Sequence, residues 1–540
     1  MTNALMKSFA KTIVLTAALL VPLSSQAKKA DSRTRVKDAM KTATEFMMEK
    51  VSFRGGFVWN YLPDMSRRWG ELEAKPTMAW VQSPGTPDVG NLLLDAYHAT
   101  GDEYYYEQAC KVASAIIWGQ LECGGWNYMF DFAGEESLKD WYSTVGRNAW
   151  RLEEFQHYYG NATFDDSATT DCAKFLLRIY VEKYDPIFKP ALDKAINFVL
   201  ESQYPVGGWP QRYPLMHDHP FQGREDYSSF ITLNDDVIPE ATDFLLQCYQ
   251  SLGMSGLKEP VLRAMYSVIL LQQGKPYAGW ADQYTVADLK PAHARSYEPC
   301  GINSGTTPAM VRQLMKYYRL TGDSRFLAGI PAALDYLESM ALPESEVKRW
   351  GRPSRDPEAI LLPRFVDPKT GKPQYVHREG SNIQNGRYFT NQDITGTIGH
   401  YSSATWVNVK ALRRSYEELL RQPVEELVKD SPLAGKDLVP LDRYYYLSEN
   451  SPKVLEKEAM QIVSELTPDG AWLIVLGNTS NPYAPYSDPV ASHTDEYAKT
   501  NVGDIHDTSM YRNTDESILC ISTKEYIRRM TLLMSFIGAE

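Results

Sequence analysis

Two acidic pairs and two loops crowded with charge are the parts of this chain whose residue types and spacing could do chemistry. Asp165-Asp166 precedes the apolar run Phe175-Leu176-Leu177, and Asn234-Asp235-Asp236 precedes Phe244-Leu245-Leu246. Acids just ahead of a helix can cap its free N–H groups and complement its dipole. Carboxylate oxygens are also the ligands that hard cations such as calcium prefer. The two roles are compatible. A third stretch, 279–299, carries Trp280, Asp282, Tyr284, Asp288, Lys290, Arg295, Tyr297 and Glu298. A fourth, 363–380, carries Arg364, Asp367, Lys372, Tyr375, His377, Arg378 and Glu379. Solvated surface, or a hairpin with a surface arginine, would read the same way. The turn Gly207-Gly208-Trp209-Pro210-Gln211-Arg212-Tyr213-Pro214 sets an indole beside a guanidinium. Flat aromatics stack on sugar faces and arginine pairs with carboxylates, although an indole can equally pack between helices. His217-Asp218-His219 is a weak transition-metal signal. A Ser-His-Asp order, a Gly-rich phosphate loop and a dinucleotide fingerprint are all unconvincing here.

These stretches hang on a repeat. Tyr97, Tyr180, Tyr249 and Tyr318 each follow an apolar pair and are followed by Trp126, Trp209, Trp280 and Trp350, at offsets of 29, 29, 31 and 32 residues. Apolar residues at helical spacing, such as Leu192, Ala195, Ile196, Val199 and Leu200, fill the interval. Thr100-Gly101-Asp102 and Thr321-Gly322-Asp323 each stop one helix and start the next. Each unit is therefore a helix hairpin followed by a turn, and a lone hairpin cannot bury its apolar faces. The spacing predicts a mostly α fold, an α/α toroid of repeated hairpins. It is helical over 90–345 with the turns gathered at one end, and irregular or short β pieces lie at the cleft and C-terminus. An open stack is the alternative to closure.

The whole chain sets bounds. With 540 residues, 43% of them hydrophobic, a large core is possible. The net charge of -12 argues against general nucleic-acid binding, so an anionic substrate would need a locally basic cleft or a bound cation. Lys7 and Lys11, the apolar run 13–23 and Ser25-Gln26-Ala27 read as a secretory signal over 1–27, too short to span a bilayer. A secreted or periplasmic protein without stable membrane insertion is expected. The toroid is assigned to 28–430, and 431–540 to a C-terminal extension or a toroid-closing segment. The six cysteines are too sparse to suggest a disulfide framework.

The series GGWPQRYP (207–214), FITLNDD (230–236), GWADQY with DLKPAHARSYEP (279–299) and PRFVDPKTGKPQYVHREG (363–380), with TFDDSATT (163–170) ahead of it, resembles the pectate lyases of polysaccharide lyase family 10. The resemblance covers roughly residues 90–400 and implies an α/α toroid, β-elimination on polygalacturonate, and calcium as cofactor. It carries the metal-binding acids onto Asp165 and Asp235 and the proposed base onto Arg378. Trp209, Arg212, Trp280, Lys290, Arg295 and Tyr297 are taken as substrate-binding. Lys290 and Tyr297 are also candidate bases, because an arginine loses its proton only under strong perturbation. Thr285 stands where the family tends to have an acid, and Cys300 where it tends to have a second proline. The expected partner is an acidic polysaccharide, acted on by a monomer. A glycoside hydrolase using Asp165 and a second acid, or a non-catalytic polysaccharide-binding protein, would fit the same cleft.

Overall fold

The computed structural model describes residues 31–146, 153–217, 219–220, 224–379, 387–398, 401–434, 438–448, 451–479, 511–512 and 518–538. The expected signal, 1–27, and Asp218 lie outside them. Helix α1 covers 31–46. It is followed by α2 (Thr86–Thr100), α3 (Glu103–Gly119), and the short α4 (Glu135–Thr144) and α5 (Glu153–Gln156). Next come α6 (Ala168–Lys183), α7 (Lys189–Glu201), α8 (Val237–Leu252), α9 (Lys258–Leu271), α10 (Thr306–Thr321) and α11 (Ile330–Ser339). Then follow α12 (Glu344–Trp350), α13 (Val409–Leu420), α14 (Val424–Val428), α15 (Glu456–Ser464) and α16 (Thr523–Ile537). Strands are short.

Local chemistry explains the hairpins. Gly101 and Gly322 close α2 and α10 in the left-handed conformation, at φ 72° and 71°. Asp102 then accepts from the Tyr104 amide at 3.0 Å to start α3, and Asp323 accepts from Arg325 at 3.0 Å. The second glycine-rich turn of each unit is set by close approach. A Cβ on Gly207 would stand 2.2 Å from the Arg263 carbonyl of α9. Gly55, Gly124 and Gly470 meet the carbonyls of Lys111, Lys194 and Thr42 in the same way. These contacts order the outer layer as α15, α1, α3, α7 and α9. The inner layer runs α16, α2, α6 and α8 by direct packing, and α10 joins it by packing on α9 and pairing its Lys316 with Asp243 of α8 at 2.6 Å. Arg33 near the start of α1 donates to the Ile537 carbonyl at the end of α16 at 2.6 Å, so the first and last helices among the described residues adjoin within the array. The result is an α/α toroid-type array.

Three indoles of the repeat are bolts rather than platforms. The Nε1–H groups of Trp126, Trp209 and Trp280 donate to the carbonyls of Ile116, Val199 and Val268 at 2.8 Å each. Trp472 does the same to Ile462 at 3.0 Å, which adds the turn after α15 to the repeat. Trp350, expected as the fourth, instead ends α12 and donates to the Ser403 hydroxyl. The turns are stitched to the residues that open the next inner helix. Thr163 and Thr232 amides donate to the Trp126 and Trp209 carbonyls at 2.8 and 3.0 Å, and Asn303 to that of Trp280 at 2.8 Å. The turns thus gather at the N-terminal ends of α6, α8 and α10. At the opposite end residues 438–446 run across the helix termini, with Val439 bonded to the Gln250 carbonyl and Tyr445 and Tyr446 amides to Asp95.

Candidate active site

Two three-residue helical turns, Asp165–Ser167 and Asn234–Asp236, sit at equivalent places ahead of α6 and α8. Asp166 and Ser167, and Asp235 and Asp236, all have left-handed backbones, with φ between 47° and 59°. Four non-glycine residues in that region are costly, and such strain concentrates at functional sites. Neither α6 nor α8 has a side-chain cap. The acids are therefore directed into the mouth of the array instead of onto their helices.

Arg295 lies at the centre. Its guanidinium, 2% exposed, meets Asp165 Oδ2 at 2.5 Å, Glu298 Oε1 at 2.9 Å, Glu154 Oε2 at 3.3 Å and Asp235 Oδ2 at 3.8 Å. Tyr128 donates its hydroxyl to Asp165 Oδ2 at 2.5 Å. Gln82 donates to both Glu71 at 3.0 Å and Asp166 at 2.7 Å. Carboxyl groups outnumber the cation, so their ionisation is graded. Burial opposes charge on Asp165, yet Arg295 and hydrogen bonds hold it below the usual carboxylate range. Burial and then the neighbouring Asp165 push Asp235 well up, and the proton it keeps can be shared with Asp165. Burial followed by Asp165 raises Asp166 to about 6. Burial raises Glu153 and Glu154 to about 7, with Ser296 opposing the first and Arg295 the second. Burial works against Arg295, but its carboxylates carry it well above its ordinary value.

Beside this nest opens a cavity of about 290 Å3 walled by Asp235, Asp236, Asp282, Asn303, Arg364 and Tyr401, among others. Asn303 donates both ways to the Asp282 carboxylate at 2.7 and 2.9 Å, and Thr306 adds a third bond at 2.5 Å, so Asp282 is already satisfied. Tyr401 donates to Glu298 at 3.0 Å. Arg364 lies 4.9 Å over the Tyr401 ring and has no carboxylate partner among the described residues. The hairpin that carries it is joined to the mouth through Phe365–Val366, which pairs with Ile302–Asn303, the strand just before α10. The strand Pro373–Glu379 follows. Tyr297 packs with Val376, Tyr388 and Ile398 from this hairpin region. Arg378 pairs with Tyr388 across the strands, and its side chain lies outside the described residues.

The other expected binding residues divide. Arg295 and Tyr297 are in the nest, Tyr297 reaching Glu154 at 3.4 Å. Trp209 and Trp280 are 0% exposed, so they cannot stack on a sugar, and the sequence expectation is corrected for both. The indole fills the space between helices because its N–H completes a carbonyl at a helix end. Arg212 is also corrected: it is 2% exposed, bonded to Asn127 and Asn161 and enclosed by Tyr128 and Tyr159. Lys290 points into solvent, paired with Asp288 at 2.6 Å on an exposed turn. His219 stacks on His157 at 4.7 Å. No group of three or more His, Cys, Asp or Glu is arranged as a ready-made metal site among the described residues. All six cysteines are free thiols. Sequence reasoning missed Glu71, Gln82 and Glu154 as members of the nest, because nothing local marks them. Glu298 and Arg364 lay inside charged stretches already singled out, and only their burial was hidden.

Residues 139–396 match the family model described as pectic acid lyase. No curated protein matches the chain. Among solved structures, the family 10 polysaccharide lyase from Cellvibrio cellulosa aligns at 17% identity over 61% of this chain and 97% of its own, with a TM-score of 0.42. A mutant of that lyase in complex with trigalacturonic acid aligns at 16% over 62% and 98%, also at 0.42. An unsaturated glucuronyl hydrolase specific for heparin aligns at 10% over 94% and 96%, at 0.35.

Proposed function

We propose that this chain, whose residues 139–396 match the family model described as pectic acid lyase, cleaves polygalacturonate by β-elimination. In this reaction a base removes the proton on the carbon beside the uronate carboxylate. The electron pair forms a carbon–carbon double bond, and the glycosidic oxygen leaves, taking up a proton. The observation that carries the reading is Arg364, a half-buried guanidinium with no carboxylate of its own among the described residues, facing a cavity beside the acidic nest. A uronate carboxylate is the partner it lacks, and a bidentate pair would fix the sugar in register.

Arg378 takes the role of base in this reading, on a strand whose neighbours pack on Tyr297. Arg295 is the alternative, favoured by its place among the acids. It would first have to shed the carboxylates that hold it charged. Lys290 is too exposed and too well paired to serve. Calcium is the proposed cofactor. Asp165 Oδ1 is buried and receives no amide or hydroxyl donor, so a cation could replace the proton shared with Asp235. Asp165 and Asp235 would hold it, with oxygen ligands of the kind calcium prefers. Bound there, calcium would supply positive charge opposite the substrate carboxylate.

Residues 1–27 would direct the protein to the periplasm or the exterior, where pectate is met. No helix among the described residues is long and apolar enough to cross a membrane. Incubation with polygalacturonate while following the ultraviolet absorbance of unsaturated ends tests the reading. Reducing ends without that absorbance would show hydrolysis instead, and binding without either would show a carbohydrate-binding protein.

A further inference from the structure

The outer rim of the array carries an aromatic surface that the cleft does not use. Trp118, in the last turn of α3, is 47% exposed. Its ring lies 4.6 Å from Phe132, tilted by 32°. Phe132 in turn lies 5.6 Å from Phe53. Phe130 is buried beneath, 5.3 Å from Phe132 and 5.9 Å from Trp118, and seated against the backbone at Gly119, where a Cβ would come within 2.3 Å of its ring. The surface is thus backed by packed core and held in place.

Two cations border it. The Arg54 guanidinium is 5.8 Å over the Phe132 ring. It sits in a tight turn closed by reciprocal bonds between Phe53 and Gly56 at 3.0 and 2.9 Å. Its φ of 54° is a position that glycine or asparagine would occupy more cheaply. Lys111 follows on α3, against the same turn. Neither cation has a carboxylate partner among the described residues, in a chain of net charge -12.

We propose that Phe53, Arg54, Trp118 and Phe132 form a second carbohydrate-binding site, outside the cleft, for an acidic polysaccharide. The indole and Phe132 offer flat apolar faces to pyranose rings, and Arg54 and Lys111 offer partners to uronate carboxylates spaced along the chain. The choice of galacturonate as the acidic sugar rests on the proposed function. All of these residues precede the segment matched by the family model.

The test uses the full-length chain and the variants Trp118→Ala and Arg54→Asn, run in native gels containing polygalacturonate, fully methyl-esterified pectin, or no polymer. Asparagine tolerates the left-handed backbone, and both side chains are on the surface, so unchanged thermal melting is expected. Retardation by polygalacturonate should fall by about fivefold or more in each variant. Turnover of trigalacturonate, which engages only the cleft, should stay within about twofold, as expected for surface changes away from the site. Unchanged retardation of both variants overturns the site, and equal retardation of the parent by the esterified polymer overturns its preference for acidic chains. If the parent produces no unsaturated ends yet loses retardation on Trp118→Ala, the lyase reading fails and the site stands.

Discussion

Arg295 and Asp165 face each other at 2.5 Å, each 2% exposed, and neither charge could be kept at this depth without the other. Removing one member of a buried pair costs about 3–5 kcal/mol, because the partner's charge is left uncompensated. Arg295→Met strands Asp165, Glu154 and Glu298 together, so its melting temperature should fall further than that of Asp165→Asn. Calorimetry of the two variants decides this. Equal small shifts would mean that the nest relaxes by protonation alone.

Trp209 and Trp280 should behave as core residues. Trp209→Phe leaves the Val199 carbonyl without its donor and opens space between helices. A loss of about 1–3 kcal/mol in stability is expected. The KM for polygalacturonate should be unchanged at temperatures where the variant is folded. A raised KM at full stability would restore the stacking role that their burial excludes.

The repeat was legible because its determinants are local. A glycine that must approach a carbonyl, a Thr-Gly-Asp stop-and-start and an indole at a helix end all announce themselves within a few residues. The mouth of the array was legible in part for the same reason, since Asp165 and Asp235 directly precede inner helices. The nest was not. Arg295 meets Asp165 across 130 residues of sequence, and Ser296 meets Glu153 across 143. No periodicity encodes such contacts. The sequence also cannot distinguish an indole that stacks on sugar from one that bolts two helices, because both need a large flat side chain on a turn. Solvent exposure alone separates them, and it is set by the neighbouring hairpin.

Glu153 offers a test of the electrostatics through stability. Its carboxyl is 3% exposed, accepts from the Ser296 amide at 3.0 Å and leaves Oε2 without a partner. Burial raises it to about 7. A carboxyl whose folded value is raised keeps its proton in the native state while the unfolded chain releases it. Its contribution to stability is therefore present below the unfolded value, about 4.3, and is lost as pH rises through the folded one. Between about pH 5 and 8 the parent should lose stability relative to Glu153→Gln by roughly 1–3 kcal/mol. Denaturant midpoints of both proteins across that window measure the difference. Parallel curves would show that Glu153 is ionised without cost.

Arg364 and Arg378 can be separated by the kinetic parameter each one moves. Arg364 faces the cavity and, in the proposed reaction, pairs with the uronate carboxylate in both the ground state and the transition state. Uniform binding of that kind appears in KM, so Arg364→Ala should raise KM about tenfold or more with a smaller change in kcat. Arg364→Lys should recover only part of the loss, because an ammonium cannot make the paired contact. A general base acts only as the proton moves, so Arg378→Ala should lower kcat by about 100-fold or more at nearly constant KM. Arg295 provides the control. If Arg378→Ala keeps its turnover while Arg295→Lys, folded by its circular dichroism, loses it, the base lies in the nest and Arg378 does not act on the proton. If neither substitution alters kcat, elimination by a guanidine base is excluded for this protein.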